Sequence, residues 1–562
     1  MKRFALILLA VALPLAAQPL KSPAADVGDV QHEAPWFWQT GSWYRNVIAP
    51  KPPLLQLRAP VKLEDYLAGD KLELSLRAYL ELVLMNNTDI EIQRVNVETQ
   101  KNAIQRAFGV FDPLLTTGFN ATRSTSPTVD QLAGASTLSN LNQPFNIGYT
   151  QTLATGTQIR STFGWTKISN NSIFQTVNPA YNSSWQAGFT QPLLRNRGRE
   201  IARLPITIAR VRLRGSQFNV EDQIIRLLQN AEVAYWNLIE ATEALKVQEE
   251  GLALADKSLK RTMRELELGA VSALDIFQPQ QTYATSEIAV TQARFRVAQS
   301  EDQLRRQMGA DLNPRFRTVP IVLTEPVLPP SDDTGFDKEK LVTTALERRP
   351  DLRNARNDLD VDELAIRSAA NALKPNFNLV GNYTSQGVGG NIYQRPFGAP
   401  NSVAPTLVST GGLGSSLDQL FGFGFPVYNM GLQLNFPLRD RRAAADYADA
   451  LVSRKLDALQ VRQTEQNIRL DVLNRINQVE NSKASVRLAQ VAVDFAQKRL
   501  DAEQKKYDLG TITIFFLLDA QNALVNARAQ LVQQSLQYRR NLVNLLQSTG
   551  TLLEERNIVL EK

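Results

Sequence analysis

The chain has 562 residues, of which 21% are charged, and its formal net charge is +6 at pH 7. It contains no cysteine and a single histidine, His32, which excludes disulfides and thiolate metal sites and leaves little imidazole chemistry. The lysine and arginine residues are spread along the chain, which argues against a nucleic-acid partner, and we expect no enzyme activity, cofactor or metal site.

The first 18 residues, MKRFALILLAVALPLAAQ, combine two basic residues, an apolar run and small residues. This pattern predicts a secretory signal peptide. Residues 19–73 follow as an N-terminal arm without an assigned role, which contains Trp36, Trp38 and Trp43. Beyond residue 18 no apolar run approaches the roughly 18 to 20 residues of a transmembrane helix, so we expect any passage through a membrane to use β-strands.

Residues 74–312 predict a helix, a group of strands and two further helices, in that order. The first helix, over about 74–110, ends before Pro113, whose ring cannot continue a helix and suits a strand entry. The segments LLTTGFNATRS and SSWQAGFTQPLL predict strands, and NIGYTQTLATGTQIRSTFGWTKIS between them predicts a hairpin that turns near Gly156. A long helix is predicted over 200–268, and a shorter one returns from Gly269 to Gly309.

Residues 336–553 repeat this order after a proline-rich linker at 313–335, and residues 554–562 form a tail. A helix over about 337–373 ends before Pro375, and the strands NFNLVGNYTS and YNMGLQLNFP flank a long surface loop at 386–423. A long helix over 441–509 and a returning one from Gly510 to Gly550 complete the half. Gly510 follows Gly269 by 241 positions, and further identities at the same offset indicate two copies of one domain.

The strands alternate apolar and polar residues over about ten positions, which suits tilted membrane strands, with a soluble sandwich as the alternative. Four strands per chain, or six with the extra hairpin, fall short of the eight in the smallest membrane barrels, so closure requires several chains. The strand–helix junctions are marked by Pro113, Pro192, Pro375 and Pro437. Basic residues follow two of them and either face anionic headgroups or are ordinary solvated helix starts: Arg195, Arg197, Arg199, Arg439, Arg441 and Arg442.

The order of these signals, the QPLL and FPL junctions, and the paired turns LELGAVSALDIFQPQQ and YDLGTITIFFLLDAQNAL resemble the TolC family of bacterial outer-membrane efflux proteins over residues 70–555. The resemblance implies an α+β membrane protein. In it a homotrimer shares one 12-stranded barrel in the outer membrane, and long helices form a tunnel through the periplasm. It further implies a non-enzymatic exit duct that docks onto a periplasmic adaptor (membrane fusion protein) and an inner-membrane transporter, for efflux or type I secretion.

In this family the hairpin turns lie at the periplasmic mouth, so the resemblance implies adaptor-docking tips at Gly269 and Gly510. It maps acidic gate positions to Asp275 and Asp519, although a capping role is the alternative for Asp275. Tyr507 is kept, but Phe516 stands where relatives carry an acid, which predicts an apolar constriction. The rival interpretations are a secreted helical scaffold with a β-rich head, a hydrolase and a pore-forming toxin, and the cargo is not indicated.

Overall fold

The computed structural model describes residues 63–68, 70–128, 135–312, 315–327, 335–396, 398 and 403–558. The predicted signal peptide, His32 and the three tryptophans of the arm lie outside these residues. Parts of the predicted linker and of the 386–423 loop lie outside them as well.

The helices of the described chain include two that are far longer than the rest. The helices are α1 (Leu76–Asn86), α2 (Thr88–Phe108), α3 (Arg199–Ala202), α4 (Leu204–Glu267), α5 (Phe277–Gln307), α6 (Lys338–Arg348), α7 (Pro350–Ala372), α8 (Leu413–Phe421), α9 (Arg441–Asp508), α10 (Ile514–Thr549) and α11 (Leu552–Glu555). At a rise of 1.5 Å per residue, the 64 residues of α4 and the 68 of α9 each span roughly 100 Å. Helices α5 and α10 run back along them, and α10 also packs on α4.

Each half opens with two helices, where we predicted one. The helix expected over 74–110 breaks at Asn87, whose backbone is extended and whose side chain caps α2 by accepting from the N–H groups of Asp89 and Ile90. The helix expected over 337–373 breaks at Arg349, which precedes Pro350 and is extended as residues before proline usually are.

Most strands form one antiparallel sheet. The strands are β1 (Leu67–Ala68), β2 (Lys71–Leu74), β3 (Leu114–Phe119), β4 (Thr122–Pro127), β5 (Thr137–Thr152), β6 (Gln158–Asn170), β7 (Val177–Pro192), β8 (Ile321–Leu323), β9 (Asn376–Gln394), β10 (Thr406–Ser409) and β11 (Pro426–Asn435). In the large sheet the order is β10-β9-β7-β6-β5-β3, with β11 also on β9 and β4 also on β5. Because β3 and β4 keep one register against β5, they act as a single strand with a break.

The predicted extra hairpin is part of this sheet. Its strands β5 and β6 lie between β3 and β7, and the turn has Gly156 at φ 87°. Strands β5, β6, β7 and β9 have 13 to 19 residues, so they are longer than the ten predicted.

The predicted 386–423 loop is only partly a loop. Strand β9 runs on through Gln394, and helix α8 then folds back onto the sheet. The hydroxyl of Ser183 donates to the carbonyl of Ser416 at 2.9 Å, and that of Ser385 donates to the carbonyl of Leu420 at 2.7 Å. Composition alone does not predict this packing, because it depends on small residues of distant strands.

A second, three-stranded sheet packs against the largest cluster of buried apolar residues, which includes residues of α1 and α4. Strand β2 pairs antiparallel with β1 and parallel with β8, which lies within the predicted linker. Beside it Tyr79 of α1 and Tyr235 of α4 are fully buried with ring centroids 5.6 Å apart, and the Tyr235 hydroxyl donates to the carbonyl of Leu74 at 3.1 Å. No helix within the described residues has the length and apolar character needed to cross a membrane.

Candidate functional site

The turns that follow the C-terminal ends of the two long helices, α4 and α9, have the same backbone conformation. We call the turn between α4 and α5, residues 268–276, tip 1, and the turn between α9 and α10, residues 509–513, tip 2. Gly269 and Gly510 lie at φ 70° and 72°, in the left-handed region that glycine adopts at little cost. The following N–H group in each tip donates to a carbonyl five residues earlier, at 2.8 and 3.0 Å, which closes a Schellman motif.

The apolar run after tip 2 is divided between a core and the surface. Ile514, Leu517 and Leu518 are buried in a cluster with residues of α9, as expected for the inner side of a helical hairpin. Phe515 and Phe516 are 54% and 49% exposed, with ring centroids 5.6 Å apart in an edge-on arrangement. The chain therefore presents two exposed aromatic rings at this tip, of which sequence reasoning selected only Phe516.

Tyr507 joins the two helical hairpins next to their tips. Its hydroxyl donates to Oε2 of Glu265 in α4 at 2.6 Å. The guanidinium of Arg261 lies 4.7 Å from the centre of the Tyr507 ring, 2.9 Å from Glu265 and 2.6 Å from the carboxylate of Asp508. We call Arg261, Glu265, Tyr507 and Asp508 the tip network, since it ties the first helical hairpin to the second.

The electrostatics of the tip network follow from these contacts. Burial, followed by the hydrogen bond to Glu265, raises the pKa of Tyr507, so its hydroxyl remains a donor throughout the physiological range. Hydrogen bonds to Glu265 and Asp508 raise the pKa of Arg261, and the bond from Arg261 lowers the pKa of Asp508. The network is thus held by fixed charges at neutral pH.

The two acids predicted for the gate have different surroundings. Asp275 is exposed and accepts from the N–H of Ser272 at 3.1 Å, a local bond within tip 1. Helix α5 begins only at Phe277, and its N-cap residue, Ile276, makes no side-chain capping bond. The charge of Asp275 also contributes to the raised pKa of Tyr507. Asp519 forms an ion pair of 2.6 Å with Arg499 on the neighbouring helix, with both side chains about half exposed.

Sequence reasoning missed Arg261, Glu265 and Asp508. The spacing of Arg261 and Glu265, four residues apart on one helix, is the signal for their mutual ion pair. Nothing local indicates that this pair faces Tyr507, because the partner lies 242 residues further along the chain.

The large sheet has two chemically distinct faces, which its register defines. Side chains alternate between faces along each strand, and directly paired residues share a face. The apolar face carries mostly aromatic and aliphatic side chains, including Phe119, Phe145, Trp165, Phe163, Trp185, Tyr383, Tyr428 and Met430. The polar face carries mostly amides, hydroxyls and glycines, including Thr116, Gly148, Thr162, Gln186, Thr384, Thr150, Asn382 and Asn429.

The predicted junctions lie at the ends of strands. Pro113 and Pro375 directly precede β3 and β9, Pro192 ends β7, and Pro437 follows β11 by two residues. Arg195 is half-buried, and the remaining junction arginines are exposed: Arg197, Arg199, Arg439, Arg441 and Arg442. Throughout the described chain no cluster of three or more histidine or acidic side chains is arranged to hold a metal ion.

Residues 341–551 match the family model described as outer membrane efflux protein. Outer membrane protein TolC of Escherichia coli K12 is 25% identical over 333 residues, and the toluene efflux pump outer membrane protein TtgC of Pseudomonas putida is 23% identical over 330. These matches cover 58% of this chain but only 62% and 60% of the relatives, so the matched part spans less than two-thirds of their length.

Among solved structures, the fold is similar to a membrane protein from Pseudomonas aeruginosa, with a TM-score of 0.60 and 15% identity over 89% of this chain and 96% of the other. The outer membrane channel CmeC of Campylobacter jejuni gives a TM-score of 0.58 at 13% identity, over 91% and 98% of the two chains. In sequence, residues 341–551 are thus similar to the outer membrane efflux protein family, and the fold of the described chain is similar to that of these solved structures.

Proposed function

We propose that the chain is the exit duct of an efflux or secretion system, with its sheet in the outer membrane and its long helices in the periplasm. The observation that carries the proposal is the two-faced sheet. An apolar face suits contact with lipid, and a face of amides and hydroxyls suits a water-filled lumen. On this proposal the chain conducts solutes and catalyses no reaction.

One sheet of this size leaves two free edges, β3/β4 and β10/β11, whose unpaired backbone groups lipid cannot satisfy, so several chains close the barrel. The resemblance to the TolC family gives their number as three. These edges run in opposite directions, so β11 of one chain can pair antiparallel with β3/β4 of the next. The resemblance implies four strands per chain and 12 in all. With the hairpin inside the sheet, each chain supplies six, and three chains close a barrel of 18 strands.

Such a barrel is wide enough for an aqueous channel, because the diameter grows with the number of strands. Electron cryo-microscopy of the purified trimer tests the count directly: 18 strands support the proposal. A closed ring of 12, with the hairpin outside it, contradicts it.

The junction arginines support a membrane boundary where strands pass into helices. Arg199, Arg441 and Arg442 lie in the first turn of helices α3 and α9, where a positive charge is unfavourable to the helix dipole. Anionic headgroups at this level would offset that cost. The two long helices of each chain then line a tunnel of about 100 Å below the membrane.

The tips form the periplasmic gate. The tip network holds the two hairpins of one chain together, and Phe516 of three chains narrows the mouth to an apolar constriction that can exclude water. Asp275 at tip 1 favours cations at the entrance, whereas the charge of Asp519 is balanced by its ion pair with Arg499. Gly269 and Gly510 mark the surface on which a periplasmic adaptor docks to connect an inner-membrane transporter.

Planar bilayer recording of the purified trimer tests the function, together with fractionation of cells that produce the chain. We expect the protein in the outer membrane fraction and discrete conductance steps after reconstitution. A secreted helical scaffold would instead appear in the soluble fraction and give no steps, which would refute the proposal.

A further inference from the structure

Charge is almost absent from the strands of the large sheet. Within its described strands there is no acidic residue, and the charged residues are Arg123, Arg160 and Lys167. Three basic side chains in an otherwise neutral wall are few enough that the position of each one decides what a passing solute meets.

The register separates these three residues. Arg160 of β6 pairs with Thr150 of β5 and Gly188 of β7, and this row belongs to the polar face. Arg123 of β4 pairs with Leu141, and Lys167 of β6 is an odd number of residues from Arg160, so both point to the opposite face.

The surroundings of Arg160 leave its charge open to solvent. It is exposed and lines a cleft of about 870 Å³ with the neutral side chains of Thr150, Gln186 and Asn382. Asp112 is the one acid in the lining; it precedes β3 in a turn and forms no ion pair with Arg160 in the described structure.

We infer that Arg160 is a selectivity determinant that favours anionic solutes in the barrel lumen. The inference rests on the proposed trimeric duct, in which three copies place three guanidinium groups at one level of a neutral wall. A ring of basic side chains attracts anions and repels cations in a pore. The position lies on the hairpin β5–β6, so this segment supplies both a widened wall and its lumenal charge.

The experiment measures the chloride-to-potassium permeability ratio from reversal potentials in a KCl gradient. We expect R160Q to lower that ratio by about threefold relative to the unmodified trimer and R160K to preserve it, because a ring charge acts through its sign. R123Q is the matched control, since it removes an equal charge from the opposite face of the same sheet.

D112N removes the acid that lines the cleft, and we expect it to leave the ratio unchanged or to raise it. Equal ratios for R160Q and the unmodified channel, or an equal shift in R123Q, would overturn the inference while the duct itself still conducts. If the unmodified trimer opens no channel, the proposed function fails and this inference fails with it. Migration of each variant as a trimer on a gel confirms that it has assembled.

Discussion

Replacing Tyr507 with phenylalanine tests the gate most directly. The substitution keeps the ring beneath the Arg261 guanidinium but removes the hydroxyl that donates to Glu265 at 2.6 Å. The carboxylate of Glu265 keeps its contact with Arg261, at 2.9 Å. The change therefore removes one charge-assisted hydrogen bond between the two hairpins and little else.

The magnitude follows from that bond. A hydrogen bond to a charged group contributes about 1.5–3 kcal/mol, and because Tyr507 is only partly buried we take about 1 kcal/mol per chain. If three chains open together, the closed state of the trimer loses about 3 kcal/mol of stability. Because about 1.4 kcal/mol corresponds to a tenfold change in an equilibrium constant, the ratio of closed to open channels falls by about a hundredfold.

Single-channel recording in planar bilayers measures the effect as the open probability and the mean conductance of the trimer. We expect Y507F to open more often than the unmodified channel, and E265Q to have an effect of the same sign. Y283F is the control, because Tyr283 lies on the return helix α5 and is not a member of the tip network.

Unchanged open probability in Y507F, with the trimer intact, would refute a gating role for this bond. An equal increase in Y283F would show that the loss of any tyrosine hydroxyl loosens the helices, and it would refute the reasoning in the same way.

Three further predictions concern other parts of the helices. F516A should raise the closed-state conductance by widening the apolar mouth. F295A, at a phenylalanine of α5 that is 73% exposed against 49% for Phe516, should not. Equal closed-state conductance in the two variants would refute the constriction. Burial and the carboxylates of Asp457 and Asp358 raise the pKa of Asp362 to about 6, so the contribution of Asp362 to stability declines as the pH rises from about 4 to 6. D362N should therefore raise the melting temperature at pH 7.5 but hardly at pH 4. An equal gain in melting temperature at both pH values would contradict this assignment. G510A should lower the free energy of unfolding by about 1–2 kcal/mol, because no atom lies within 4 Å of the added Cβ and only the left-handed backbone conformation opposes the substitution. G335A, whose added Cβ also meets no atom within 4 Å, should leave the stability unchanged. Equal melting temperatures of the two variants would refute backbone strain at position 510.

Several elements of the site could be predicted from the sequence because their signals are local. A glycine that ends a long helical pattern predicts the left-handed turn, and Gly269 and Gly510 both adopt it. The alternation in β11 assigns Met430 and Leu432 to one face without knowledge of any neighbour. The resemblance to a known family likewise follows from ordered local motifs.

The helix breaks and helix α8 were not predicted, although the reasons lie in ordinary chemistry. The side chain of Asn87 accepts hydrogen bonds from nearby backbone N–H groups and so competes with helix formation. The apolar periodicity of the surrounding sequence continues across this break and therefore does not reveal it. Pro350 is compatible with either one kinked helix or two separate helices. The structure has two helices, and the first of them, α6, packs against α9 and α10.

The sequence by itself determined which residues turn, which alternate and which face they share, because those properties depend on neighbours within a few positions. Only the tertiary structure decided that β5 and β6 lie inside the sheet, which places Arg160 on the polar face, and that Tyr507 meets Glu265. Such pairings join segments far apart in the chain. Their partners are selected by the packing of whole helices and strands rather than by any local pattern.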